Sequence, residues 1–303
     1  MSNLTRAGVG VLAAGAACVG YGALVESRAY TLREFGVPVL PIGADPVRVL
    51  HVSDLHLLPG QQKKVDWVRS LAGLRPDLVV NTGDNHSHPD AWPRVLEAYE
   101  PLLGVPGVFV WGSNDYLAPK MKNPLSYFSG PSDPVQPESA PDRELPWRTL
   151  GAAFAQAGWQ DLTHRAVTLP VKGMPFAFRG TDDGHLGRAR YAEVAGPADP
   201  DAVLNLGVTH APYLRLLDAF ATDRMDLILA GHTHGGQVCL PGIGALVTNC
   251  DIDAPRVKGL STHTAGGHTS ALHVSAGLGT SPFAPYRFAC RPEATLLTLL
   301  PRG

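Results

Sequence analysis

A chain of 303 residues, 45% hydrophobic and 17% charged, can bury one large core or two smaller ones, which excludes a mainly disordered protein. Lys and Arg total 25 against 27 Asp and Glu, a formal charge of -2, so no basic excess exists to hold a polyanion and no nucleic-acid partner is expected. Cys18, Cys239, Cys250 and Cys290 show no Cys-x-x-Cys spacing, which argues against a zinc knuckle and a disulfide framework.

From Ala7 to Leu24 the chain runs 18 residues without a charge, between Arg6 and the pair Glu26 and Arg28, a length that just spans a bilayer. Residues 1–34 therefore read as a hydrophobic anchor or signal segment, with membrane contact through residues 7–24 and a membrane-associated localisation. A cleaved signal peptide and a helix buried in the body compete with that reading, because the segment is rich in Gly and Ala. Arg6 on one flank against Arg28 and Arg33 on the other leaves the side of the membrane undecided. The stretch 35–46 reads as a linker, and the remaining domain is expected over 47–303.

Beyond it, short apolar runs alternate with helical patterns. Strands are expected at 47–52, 77–80 and 105–110, with amphipathic helices at 63–73 and 89–99 between them, a βαβαβ order. The stretch 117–146, dense in Pro and Ser, reads as a surface excursion. Further short runs at 202–208, 226–230 and 272–275 are again followed at once by polar residues. Ligands of open α/β sheets bind beyond the carboxyl ends of strands, so the residues after each run are candidates to converge.

Those residues carry the chemistry. Asp54 and His56 follow the first strand, Gly83-Asp84 the second and Gly112-Ser113-Asn114-Asp115 the third. Asp54, Asp84 and Asn114 are 30 residues apart in each case, the length of one strand, helix and return, which would set them side by side at one sheet edge. His210 ends a fourth run, and Gly231-His232-Thr233-His234-Gly235-Gly236 a fifth. Any one of these motifs alone is most often a satisfied polar residue; five in order, each at a strand end, form a constellation. Two carboxylates, an amide and four imidazoles without a thiolate suit Mn, Fe, Zn or Co and argue against a structural zinc site. Other motifs are poorer: there is no Walker A loop and no Gly-x-Ser-x-Gly context. Gly277-Leu278-Gly279 reads as a phosphate approach or a plain turn, and Arg287 as a structural arginine or an anion partner.

The order Asp-x-His, Gly-Asp, Gly-Ser-Asn-Asp, His, Gly-His-x-His resembles the calcineurin-like metallophosphoesterase superfamily, over roughly residues 47 to 300. The stretches 231–237, 180–183 and 277–281 look like its membrane-associated bacterial branch. The resemblance implies an α/β fold, a four-layer α/β/β/α sandwich of two mixed sheets, here preceded by the N-terminal hydrophobic helix. It implies two divalent ions, one on Asp54, His56, Asp84 and His234 and the other on Asp84, an Asn, His210 and His232, with Asp84 bridging. One departure matters: where the family has Gly-Asn-His, this chain has Gly112-Ser113-Asn114. Either Asn114 supplies the amide oxygen, or Ser113 or a water fills that place. The family's leaving-oxygen histidine is missing, and His86, His88 and His185 are the spare histidines near the motifs.

The resulting expectation is a dinuclear-metal-dependent phosphoester hydrolase in which Asp84 and Asn114 serve catalysis and no side chain acts as covalent nucleophile. Without the usual His, phosphodiesters and pyrophosphates are favoured over alkyl monoesters. An anchor would place the substrate at a bilayer, for example a phospholipid or a lipid-linked nucleotide. The alternative is a metal-binding interaction protein with a degenerate catalytic site, motivated by Ser113-Asn114.

Overall fold

The computed structural model describes residues 15–121 and 137–303. A helical stretch, 15–24 (α1), leads into strand β1 (Thr31–Leu40). Then come β2 (Val47–Val52), α2 (Gln62–Ser70), β3 (Leu78–Asn81), α3 (Trp92–Tyr99), β4 (Gly107–Phe109), the single-turn α4 (Ser113–Tyr116), α5 (Trp147–Gln156) and β5 (Gln160–Asp161). The second half holds a hairpin of β6 (Arg165–Val171) and β7 (Met174–Gly180), then β8 (Leu204–Val208), α6 (Leu214–Thr222) and β9 (Leu227–Ala230). A ribbon of β10 (Cys239–Leu240) and β11 (Gly244–Ala245) precedes β12 (Gly259–Ala265), β13 (His268–Val274) and β14 (Glu293–Pro301).

These strands build two mixed six-stranded sheets, ordered β1-β14-β2-β3-β4-β5 and β12-β13-β9-β8-β7-β6. Strands β2, β3 and β4 run parallel, as do β7, β8, β9 and β13, with helical crossovers α2, α3 and α6 joining β2 to β3, β3 to β4 and β8 to β9. Alternate side chains point to opposite faces. Leu50, Val52, Val79 and Phe109 pack with Val65, Val68, Val95, Tyr99 and Phe154 from the helices α2, α3 and α5. Val47, Val49, Leu78, Val80 and Val108 share a single cluster with Phe176, Phe178, Leu206, Val208 and Leu229, so the two sheets meet face to face. Leu216, Leu217 and Phe220 of α6 pack on Ile228, Leu272 and Val274 of the second sheet. Face-to-face docking brings the carboxyl ends of β2, β3 and β4 against those of β8 and β9.

Three expectations are corrected here. Residues 35–46 are not a linker throughout: β1 extends to Leu40 and pairs with β14 from Thr31↔Glu293 to Leu40↔Pro301. Gly36 and Pro38 disguise this strand in the sequence, yet β1 is a sheet edge, where proline is tolerated, while Val37 and Val39 alternate into the core. The membrane-associated localisation through a single N-terminal anchor is also overturned: among the described residues no helix is long and apolar enough to cross a membrane. The described end of the segment packs on the body instead. Gly22 O accepts from Arg287 N at 3.2 Å, and the buried Glu26 carboxylate accepts from Cys290 N at 2.6 Å. A Cβ at Gly22 would lie 2.6 Å from Arg287 O, so the small residue there serves close backbone contact. The first half of the expected 7–24 span, up to residue 14, lies outside the described residues, as do 122–136 of the expected 117–146 excursion. The rest of that excursion is not all surface: Leu117, Ala140 and Leu145 are buried, and Leu117 bridges Glu144.

Candidate metal centre

The loops after β2, β3, β4, β8 and β9 close on one buried cluster. Asp54, His56, Asp84 and His210 are at most 2% exposed and His232 little more, which is costly for so many polar groups unless each is used. Five of the seven expected ligands sit in the left-handed backbone region: Asp54 (φ 52°), His56 (44°), Asp84 (56°), His232 (69°) and His234 (50°). Non-glycine residues adopt that region at a cost of about 1–3 kcal/mol each, and such strain concentrates at functional sites. Glycines complete the junction. A Cβ on Gly231 would overlap Ser53 and Asp54, and one on Gly112 would overlap Asp84 and His210.

Asp84 lies at the middle of the cluster. Its Oδ2 is 3.3 Å from His56 Nε2 and 3.6 Å from His210 Nε2. Asp54 Oδ1 is 3.8 Å from His234 Nε2, and His232 Nδ1 is 3.3 Å from His210 Nε2. Two sets of potential ligand atoms lie within 4.8 Å of one another: Asp54, His56 and His234, and Asp54, Asp84 and His210. Asp54 is the carboxylate common to both sets, while Asp84 Oδ2 faces imidazoles of both. Asn114 is brought to the cluster, its backbone N–H donating to Asp84 Oδ1 at 2.7 Å and its Nδ2 to Oδ2 at 2.9 Å. Ser113 reaches no expected ligand other than Asn114, at 3.4 Å.

His56 Nε2 is buried and has no hydrogen-bond partner although a carboxylate oxygen stands 3.3 Å away. That is the arrangement a cation between the two would complete, and the donor set of carboxylates, imidazoles and an amide suits a borderline divalent ion. The electrostatics agree. Burial pushes His56 down to about 4 and holds His232 and His234 well below the usual histidine range, so these imidazoles are neutral and their lone pairs available. Burial pushes Asp54 up to about 6. Burial also acts to raise Asp84, but His210, His56 and the two bonds from Asn114 outweigh it and hold this carboxyl well below the usual range. His210 goes the other way: burial acts to lower it, and Asp84, Asp183 and Asp54 together raise it to about 9.

Several supporting residues escaped the sequence reading. Asp115, fully buried, accepts from the backbone N–H groups of Asp84, Asn85 and Gly112 at 2.7, 2.8 and 3.0 Å and so ties the second loop to the third. Lys64, buried on α2, donates to Leu55 O at 2.6 Å between Asp54 and His56. Asn249 O accepts from His232 Nε2 at 3.2 Å, which turns Nδ1 toward His210. The only local hint was the position of Asp115 inside a motif; Lys64 and Asn249 carry no sequence signal. Arg287 is structural: it donates to the carbonyls of Ala276, Gly277 and Gly279 and lies 3.3 Å from His234 Nδ1. The Gly277–Gly279 turn packs on Asp54, Gly279 N donating to Asp54 O at 2.5 Å. Among the spare histidines, His88 caps a turn at Asp90. His86 and His185 stand beside the cluster: His86 is fully buried 3.8 Å from Asp115 and feels Asp84 and His56, and the His185 ring lies 4.8 Å from that of His232 with Nδ1 3.1 Å from Tyr213 Oη.

A family model for calcineurin-like phosphoesterases matches residues 47–236. The chain is 27% identical to the uncharacterized protein YpbG of Bacillus subtilis (strain 168), over 96% of this chain and 95% of that protein. It is 27% identical to the phosphodiesterase YaeI of Escherichia coli (strain K12), over 50% of this chain and 51% of that one. Among solved structures, a dimetal phosphatase from Danio rerio aligns over 84% of this chain and 99% of its own, with 14% identity and a TM-score of 0.39.

Proposed function

The chain belongs to the calcineurin-like phosphoesterase family and is a hydrolase of phosphoester bonds, and from that premise we propose that it acts on phosphodiester or pyrophosphate bonds with two divalent ions. In this reading Asp54, His56, Asp84 and His234 hold one ion, and Asp84, Asn114, His210 and His232 the other. The observation that carries it is Asp84 Oδ2, which faces His56 Nε2 at 3.3 Å and His210 Nε2 at 3.6 Å while His56 Nε2 is otherwise orphaned. The catalytic unit is read as 47–303 with β1 as its added edge, and its layers as helices, sheet, sheet and helix.

Two divalent ions, when bound, supply Lewis-acid activation of a phosphoryl group and of water. The protein's part is placement and charge. Asp84 keeps its carboxylate ionised between the two histidine sets, and Asp54 is held between Ser53 and His232 N. Asn114 offers an amide N–H, which can donate a hydrogen bond to a leaving oxygen but cannot protonate it. Substrates whose leaving group departs unprotonated are therefore favoured, in keeping with the phosphodiesterase name of the E. coli relative.

The test is a leaving-group series. Aryl phosphodiesters of rising leaving-group pKa, a pyrophosphate and an alkyl monoester are compared at a fixed saturating Mn2+ concentration. The expected result is a steep fall of kcat/KM with leaving-group pKa, and an alkyl monoester at the slow end. A flat series with the alkyl monoester turned over as fast as the diesters would replace this reading with one in which a protein acid protonates the leaving oxygen.

A further inference from the structure

The inner faces of the two sheets are largely apolar, with a polar break where His51 of β2 pairs with the buried Thr295 of β14. His51 shares the face of Val47 and Val49 on β2, and His273 stands opposite it on β13; both are fully buried and their Nδ1 atoms are 2.9 Å apart. Neither ring faces a charged group: Phe35 packs on His273 at 5.7 Å, and Thr82 takes the other nitrogen of His51. Two polar rings in such a layer are costly unless their hydrogen bonds serve a purpose.

The bonds continue to the site. His51 Nε2 is 3.0 Å from Thr82 Oγ1, Thr82 Oγ1 is 2.6 Å from Ser53 Oγ, and Ser53 Oγ bonds Asp54 Oδ2; every member is fully buried. The direction of the chain follows from its end. An ionised carboxylate only accepts, so Ser53 spends its proton on Asp54 and accepts from Thr82. Thr82 has then used its proton and accepts from His51 Nε2–H. Neutral His51 is left with a bare Nδ1, which accepts from His273 Nδ1–H. Four donors in series point at one oxygen, and such chains strengthen each member. That oxygen is the one turned away from His234, since Oδ1 is the atom that faces His234 Nε2.

We propose that His51 and His273 are positioning residues which, through Thr82 and Ser53, lock the rotation of the Asp54 carboxylate so that Oδ1 faces the metal cluster. This rests on Asp54 being a metal ligand, as read above. It also makes the docking of β13 on β2 part of the site, because the second sheet supplies the first donor of a series that ends on the first sheet's ligand.

The metal-free full-length chain is titrated with Mn2+ by calorimetry, and kcat is measured on an aryl phosphodiester. His51→Leu and the near-isosteric Thr82→Val are compared with His51→Gln, whose amide places an N–H where Nε2–H stood. Metal-free melting temperatures are recorded alongside. The expected result is Mn2+ affinity lowered about 10- to 100-fold in His51→Leu and Thr82→Val, with most of it restored in His51→Gln. Wild-type Mn2+ affinity in folded Thr82→Val overturns the proposal, and it decides the matter if His51→Leu does not fold. Melting temperatures lowered equally in Leu and Gln variants, with unchanged Mn2+ affinity, would reduce the pair to a packing role and overturn it too. Asp54→Ala serves as the control: if it keeps both ions at wild-type affinity, the ligand reading itself falls and takes this proposal with it.

Discussion

The two sheets contribute to the cluster in different ways. The first sheet supplies the carboxylates and largely holds them itself: Asp115 binds three backbone N–H groups across the loops after β3 and β4, and Asn114 binds both oxygens of Asp84. The second sheet supplies imidazoles, His232 and His234 neutral and His210 raised by the carboxylates, whose orientation depends on other segments of the chain. His210 Nδ1 is fixed by Thr82 O at 2.7 Å, across the sheet junction, His232 by Asn249, and His234 stands against Arg287. Asp84 is thus held within one sheet, whereas Asp54, which accepts from His232 N, and the imidazoles of the second sheet take their geometry from docking. Charge repulsion requires the first arrangement, since two buried carboxylates stay in place only under many donors.

The sharpest way to break this comparison is Asp84→Ala. With the carboxylate that faces both histidine sets removed, kcat/KM is expected to fall about 10^3-fold or more, and elemental analysis should find both ions depleted. A variant retaining two ions and near-normal turnover would show that the first sheet is not the charged anchor. Gly231→Ala probes the docking. Its Cβ would lie 2.6 Å from Asp54 Oδ2 and overlap Ser53, which forces the sheet ends apart. A displacement of that kind is expected to cost about 10^2-fold in kcat/KM, and wild-type kinetics would mean the junction is looser than described.

A smaller effect separates two neighbours on α4. Asn114→Ala should lower Mn2+ affinity about 10- to 100-fold, while Ser113→Ala, whose hydroxyl touches only Asn114 in the cluster, should leave it unchanged. The reverse pattern, read by calorimetry, would place Ser113 among the ligands. Smallest is a pH effect on the metal-free protein. His210 is raised to about 9, so its contribution to stability is complete below the unfolded value of 6.5 and is lost as pH rises toward 9. Below 6.5 the groups oppose one another: Asp54, raised to about 6 from 3.8, loses its contribution between those values, while His56, His232 and His234, held below the usual histidine range, favour the fold more as pH rises toward 6.5. The melting temperature without metal should therefore decline from pH 6.5 to 9, the His210 window, while Mn2+ affinity increases as His210 gives up its proton. A melting temperature that rises from pH 6.5 to 9 would contradict the charge pattern around His210.

Much of the site was legible because its signals are local. Asp54, Asp84 and Asn114 recur every 30 residues because each belongs to one strand-and-helix unit, and parallel pairing of β2, β3 and β4 then makes them neighbours. The His232-Thr233-His234 turn is equally local, with glycines on both sides of it. Less legible were β1, whose Gly36 and Pro38 read as linker, and the hairpin of β6 and β7, whose strand ends are broken by Pro170 and Pro175. Membrane contact was read from an uncharged run, a pattern that close packing against Arg287 and Cys290 satisfies as well.

By itself the sequence determined which donors are present and that each follows a strand, since side-chain chemistry and strand periodicity are properties of short segments. Only the tertiary structure decided which carboxylate faces which imidazole, that β14 lies between β1 and β2, and that His273 reaches across to His51. Except for His56 with Asp84, those relations join residues more than a hundred positions apart, and they follow from burying the apolar faces of two sheets against each other, a requirement of the whole chain that no short segment encodes.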